Sequence, residues 1–285
     1  MMKNKKILGG IIAVAVVLLI TFLVRNRDEE TSADNQRTVK VAIQQNYYPY
    51  NFVNENGEAD GYEVAVFKEL EKKLPQYHFE FIPTSNEDLL IGLESGKYNA
   101  GIKGSWYTEE RAKKFIIPEN YHGASVIGLT IRAEDKDKYQ SIDDFAKDGG
   151  KLVPISPQNA QYAVIQEYNE KNPDHPIDLV AADQFDLSDA YGWVLEGRYD
   201  AYFSIDLSYQ NSVESEDGPY HDKADQLAYI PYKGIPIYPL FERTEENEQL
   251  AKDYDVAIKE LRQDGTLSKL SEKYLGKDVF EYVED

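Results

Sequence analysis

The sequence predicts an α/β fold of two similar lobes, joined by a hinge of two crossover strands and preceded by an N-terminal membrane segment. Three observations predict it. Short apolar strand patterns alternate with helical patterns, the order that builds a parallel sheet covered by helices. LESGKYNAGIKG at 93–104 is echoed by LEGRYDAYFS at 195–204, and VKVAIQQNYYPY at 39–50 is echoed by KLVPISPQNAQY at 151–162. The echoes come in the same order, so the plan of one lobe recurs in the other.

The elements follow along the chain. Residues 1–6, MMKNKK, are basic, and residues 7–24 form an uncharged apolar run of the length that spans a membrane once. The basic flank favours the cytoplasm, which places the remainder outside. A cleaved signal peptide is the alternative reading; it calls for small residues after the apolar run, where this chain has FLVRNRDEE. Residues 25–37 are polar and unpatterned, a tether rather than a fold element.

VKVAI at 39–43 reads as a buried strand running into the polar-aromatic turn QQNYYPYNF. Residues 62–74 carry a helical pattern stopped by Pro75; HFEFIP alternates as a strand; NEDLLIGLESG is a helix with Asn86 as cap and Gly96 as stop; YNAGIKG is a further strand. Residues 121–132 form a β-rich crossover, KLVPIS at 151–156 a strand, and residues 233–239 an extended return segment. The C-terminal part is two helices joined at Asp264-Gly265 and stopped by Gly276. Residues 38–122 and 237–285 are expected to form one lobe and 128–231 the other, with the ligand site in the cleft between them.

The formal net charge of -20 makes nucleic acid and anionic membrane surfaces poor partners for the folded part. The absence of cysteine excludes disulfides, thiol catalysis, cysteine zinc sites and lipid attachment through an N-terminal cysteine. The histidines (His78, His122, His175 and His221) stand in unrelated contexts with no H-E-x-x-H spacing, and no G-x-S-x-G is present. The run Glu134-Asp135-Lys136-Asp137 reads as a solvated loop. No cofactor and no metal are expected.

One cation stands out. In GSWYTEERAKKF, Thr108 is a good N-cap and Glu109 and Glu110 suit the positive end of a helix. Arg111 then lies in the first turn, where positive charge is mildly unfavourable. An anionic ligand would relieve that repulsion; a surface ion pair with Glu109, Glu110 or another acid is the plainer alternative.

The chain resembles the amino-acid-binding family (family 3) of bacterial extracellular solute-binding proteins, the capture subunits of ABC importers. The resemblance covers roughly residues 38–280 and rests on five blocks in order: VKVAIQQNYYPYNF, NGEADGYEVAVFKEL, LESGKYNAGIKGSWYTEERAKKF, LEGRYDAYFS and IKELRQDGTLSKLSEKYLG. It implies a periplasmic-binding-protein-like fold, a small-molecule amino-acid ligand, a permease partner in the membrane, a monomer and no enzyme activity. The same fold also serves periplasmic dehydratases and transglycosylases, which are the alternative. The expected place is the outer face of a cell membrane, held by the uncleaved anchor, or secreted if the segment is cleaved.

The resemblance also assigns roles. Arg111 matches the arginine that clamps the ligand's α-carboxylate, for which a planar guanidinium at a helix N-terminus is well suited. The backbone at Gly104 would accept from the ligand's α-amino group, glycine allowing close approach. Trp106 stands where the family usually has Thr or Ser, which implies a more aromatic pocket. Tyr47 matches the aromatic residue that stacks on the ligand side chain; a half-buried turn tyrosine is the alternative. Gln44 replaces an acid found in several relatives and so favours a polar, uncharged ligand, cystine and glutamine-like amino acids among the candidates. In the second lobe Ser156-Pro157-Gln158-Asn159 replaces a Gly-Thr-Thr-like turn, leaving Gln158 and Asn159 as expected donors. The family's amino-group aspartate falls on Ile205; either Asp206 takes over by a one-residue shift or the amino group is held differently.

Overall fold

The computed structural model of the chain describes residues 36–157, 159–182 and 187–284. The apolar run 7–24, the tether through residue 35 and Gln158 lie outside the described residues. Among the described residues no helix is long and apolar enough to cross a membrane.

β1 (Arg37–Gln44) is the organising strand of the N-terminal half. It begins at Arg37, the last residue assigned to the tether, because Arg37 pairs with Tyr77 at the start of the ladder. A small antiparallel sheet follows, β2 (Asn46–Tyr47), β3 (Asn51–Val53) and β4 (Ala59–Asp60). β5 (Tyr77–Thr84) and β6 (Ala100–Trp106) then flank β1 in parallel. The two crossovers are the helices Tyr62–Lys73 and Asn86–Glu94.

The main sheet continues through β7 (Gly123–Arg132), β8 (Ala201–Ile205) and β9 (Leu227–Phe241), in the order β5-β1-β6-β9-β7-β8. β9 is longer than the return segment 233–239 expected from its Pro and Gly residues. Its C-terminal end pairs with β6, from Ile237 on Trp106 to Phe241 on Ala100, and Leu227 to Ile237 pair with β7, all antiparallel. β7 and β9 thus run through both halves of the molecule as neighbours.

Two lobes have separate apolar cores. One gathers Val39, Val41, Phe67, Leu70, Phe241 and Ile258 with Ala124 and Val126 from the start of β7. The other gathers Leu129, Ile131, Phe145, Ile165, Phe203 and Ile230. The C-terminal helices Glu245–Gln263 and Thr266–Leu275 return to the first core through Leu250, Tyr254, Leu261 and Leu267. Gly265 and Gly276 take the left-handed conformation (φ 77° and 70°) that ends a helix at no Cβ penalty.

Two local expectations are corrected. The helix Asn86–Glu94 is capped by Ser85, whose hydroxyl accepts from the Asp88 N–H at 3.0 Å in an extended conformation. Asn86 is thereby free to turn its amide elsewhere. Residues 151–156 form no strand: Leu152 and Ile155 make isolated parallel bridges to Ala201 and Ala181. Pro154 between them has no N–H to continue a ladder.

Candidate functional site

The first lobe builds most of one open cleft of about 390 Å³. Gln44 ends β1 and Tyr47 ends the short strand β2 beyond it; Lys103, Gly104 and Trp106 come from the end of β6, and Arg111 from the helix Glu109–Lys114. Asn86, Ser125 of β7 and Ile205 at the end of β8 complete the lining. Parallel strands that end together against a helix N-terminus form the usual crevice for small ligands in α/β sheets.

The opening between β6 and the following helix is shaped by a break in pairing. The β6–β9 register shifts between Gly101 and Ser105, so Lys103 and Gly104 leave the ladder. Gly104 takes φ +63°, and a Cβ there would lie 3.0 Å from the Tyr47 ring. Its N–H donates to Glu63 Oε2 at 2.9 Å. Glu63 is fully buried; it also accepts from the Asn51 amide and, through Oε1, from His122 Nε2 at 2.8 Å. The Tyr254 hydroxyl stands 3.0 Å from His122 Nδ1. The cleft floor is therefore fixed from beneath by a fully buried polar network.

Arg111 lies where its cap places it. Thr108 Oγ1 accepts from the Arg111 N–H at 3.1 Å, and the guanidinium donates through Nη1 to the Trp106 carbonyl at 2.7 Å. Among the described residues no carboxylate lies within ion-pair distance of it, so the remaining donors face the cleft unopposed. Burial pushes its pKa down from the ordinary arginine value, with Glu110 opposing. Tyr47 stacks on Tyr50, ring centroids 5.3 Å apart and 26° between planes, and burial, followed by Glu63, raises its pKa. Gln44 donates through Nε2 to Asn86 Oδ1 at 3.0 Å, which is where the uncapped asparagine is used.

Gln44, Tyr47, Gly104, Trp106 and Arg111 are thus brought together. Asn159 is exposed at the start of the helix Ala160–Lys171 and outside this lining, and Gln158 lies outside the described residues. Asp206 is also not in the lining: its carboxylate accepts from Lys277 Nζ at 2.5 Å and from Gln210 Nε2 at 3.2 Å. Its neighbour Ile205 is the residue that reaches the cleft.

Three lining residues were not anticipated: Lys103, Asn86 and Ser125. The signal for Lys103 was a single cation beside the glycine in an otherwise apolar strand. Burial, and then the nearby Arg111, lowers the Lys103 pKa, while Glu63 raises it. Among the described residues the lining holds two cations and no carboxylate. It holds no histidine, and among the described residues no three His, Asp or Glu side chains are placed to hold a metal.

The model of bacterial extracellular solute-binding proteins, family 3, matches residues 39–277. An L-cystine-binding protein, TcyJ of Bacillus subtilis, is 32% identical over 249 residues, covering 85% of each chain. The structure of the probable amino-acid ABC transporter extracellular-binding protein ytmK from Bacillus subtilis superposes with a TM-score of 0.64 at 26% identity, over 85% of this chain and 99% of that one. The L-cystine solute receptor of Neisseria gonorrhoeae, in its unliganded open conformation, shares the fold at a TM-score of 0.63 and 22% identity, over 88% and 96% of the two chains. With these matches spanning both lobes, the chain belongs to the bacterial extracellular solute-binding proteins, family 3.

Proposed function

We propose that the chain is the substrate-binding component of an ABC importer and captures a polar amino acid between its lobes, with L-cystine the first solute to test. The observation that carries this reading is Arg111: a half-buried guanidinium at a capped helix start, facing a cleft with no carboxylate partner among the described residues. A ligand α-carboxylate supplies the missing charge through two parallel hydrogen bonds. Gly104 lets the ligand amino group approach the backbone, and Tyr47 and Trp106 provide aromatic walls for its side chain. Gln44, already paired with Asn86, contributes a polar contact at the far edge. The names of relatives that bind L-cystine support the choice of solute.

The lobes are assigned as residues 38–122 with 237–285, and 128–231, and closing them brings the second lobe's donors, Asn159 and Gln158 among them, onto the ligand. Binding rather than catalysis is supported by the family match and by relatives named for the solute they bind. The apolar run 7–24 holds the protein on the outer face of the membrane beside its permease, where the tether raises its effective concentration. Thermal unfolding of the full-length chain with each amino acid and with cystine tests the reading. A ligand-dependent rise, with the solute recovered unchanged, is expected; turnover of the solute would favour an enzyme.

A further inference from the structure

Beyond Arg111, the cleft contains a second cation that the amino-acid reading does not use. Lys103 leaves the β6–β9 ladder at the register break, so its side chain lines the cleft rather than a sheet face. It is only partly exposed, and among the described residues it forms no ion pair or hydrogen bond. The other half-buried lysines among the described residues have partners: Lys233 pairs with Glu167 at 3.1 Å and Lys277 with Asp206 at 2.5 Å. Among the described residues the acid that acts on Lys103 is Glu63, whose oxygens are engaged by Asn51, Gly104 and His122. In a chain of net charge -20, a site lined, among the described residues, by two mutually repelling cations and no carboxylate is an electrostatic exception.

We propose that Lys103 is a second anion-binding residue, so that the cleft selects an amino-acid solute carrying a second carboxylate beyond the one held by Arg111. This rests on the reading of the cleft as an amino-acid site and narrows it to a ligand class. A half-buried ammonium without a partner gains a charge-assisted hydrogen bond when the second carboxylate arrives, and the repulsion between the two cations is relieved in the same step. L-cystine has the required groups, one carboxylate at each end. The mixed disulfide of cysteine and cysteamine has the same disulfide link and both amines but one carboxylate fewer.

The test is calorimetry of the full-length chain in detergent with these two compounds as probes. The wild-type protein is expected to prefer L-cystine by about tenfold or more, the scale of one hydrogen bond to a charged group. Lys103→Gln should lose that preference, binding L-cystine about as weakly as the mixed disulfide, and Lys103→Arg should keep it. A wild-type protein that binds both probes equally overturns the proposal, whether or not the glutamine variant folds. So does a Lys103→Gln variant that weakens both probes by the same factor, since Lys103 then pairs with a protein carboxylate on closure. In either case Arg111→Lys weakening both probes leaves the amino-acid reading standing, and failure of the wild-type protein to bind either probe overturns both.

Discussion

Glu63 and His122 lie 2.8 Å apart, Oε1 to Nε2, and neither side chain is exposed to solvent. Through its other oxygen Glu63 holds the Gly104 N–H, and His122 immediately precedes β7. One buried carboxylate therefore connects the cleft floor to the strand that leads into the second lobe. Glu63→Gln replaces an acceptor of several hydrogen bonds with a group that also carries donors, so one contact is lost or turned repulsive. The expected cost is about 1–3 kcal/mol in urea unfolding, with weaker solute binding. Unchanged stability would mean that the network contributes nothing net.

Gly104 should tolerate no side chain. At φ +63° an L-residue is strained, and the added Cβ meets the Tyr47 ring at 3.0 Å. Gly104→Ala is expected to lower stability by about 1–2 kcal/mol, the cost of the left-handed conformation. Solute affinity should fall further, because the ring that walls the cleft has to move. Full affinity in a destabilised variant would remove Tyr47 from the site.

Alkaline pH should unfold the protein through its buried phenols. Burial raises the pKa of Tyr50, Tyr62 and Tyr254 well above the ordinary tyrosine value, and pushes Tyr191 up to about 12. The folded state holds these protons more tightly than the unfolded chain, in which a phenol ionises near pH ~10. Their contribution to stability is complete below that pH and is lost as pH rises towards the folded values. Phenolate absorbance is expected to rise in two phases, the later one coinciding with loss of circular dichroism. A single smooth ionisation with the fold intact would contradict the burial.

Closure is tested by small-angle scattering. Contacts made by both lobes favour the closed state, so saturating solute should reduce the radius of gyration. An identical profile with and without solute would argue against a hinge at β7 and β9.

Much of this arrangement was legible in the sequence because its signals are local. Thr108 followed by acids marks a helix start, and Gly265 and Gly276 mark helix ends. The position of Arg111 followed from those rules. The cap at Ser85 was missed because Ser85 and Asn86 are both good caps, and the choice depends on the Gln44 amide, which lies 42 positions away. The strand expected at 151–156 failed at Pro154. Lys103 was missed because only the register break, set by pairing with a distant β9, turns it towards the cleft. Asp206 looked available in the sequence and is engaged by Lys277, a contact across 71 positions.

The central claim, that Arg111 clamps the carboxylate of an amino-acid solute, is tested most directly by calorimetry of the wild-type and Arg111→Lys proteins with L-cystine. Lysine keeps the charge but loses the planar fork, so the variant should fold normally and bind at least about tenfold more weakly. Equal affinity in the two proteins would contradict the claim.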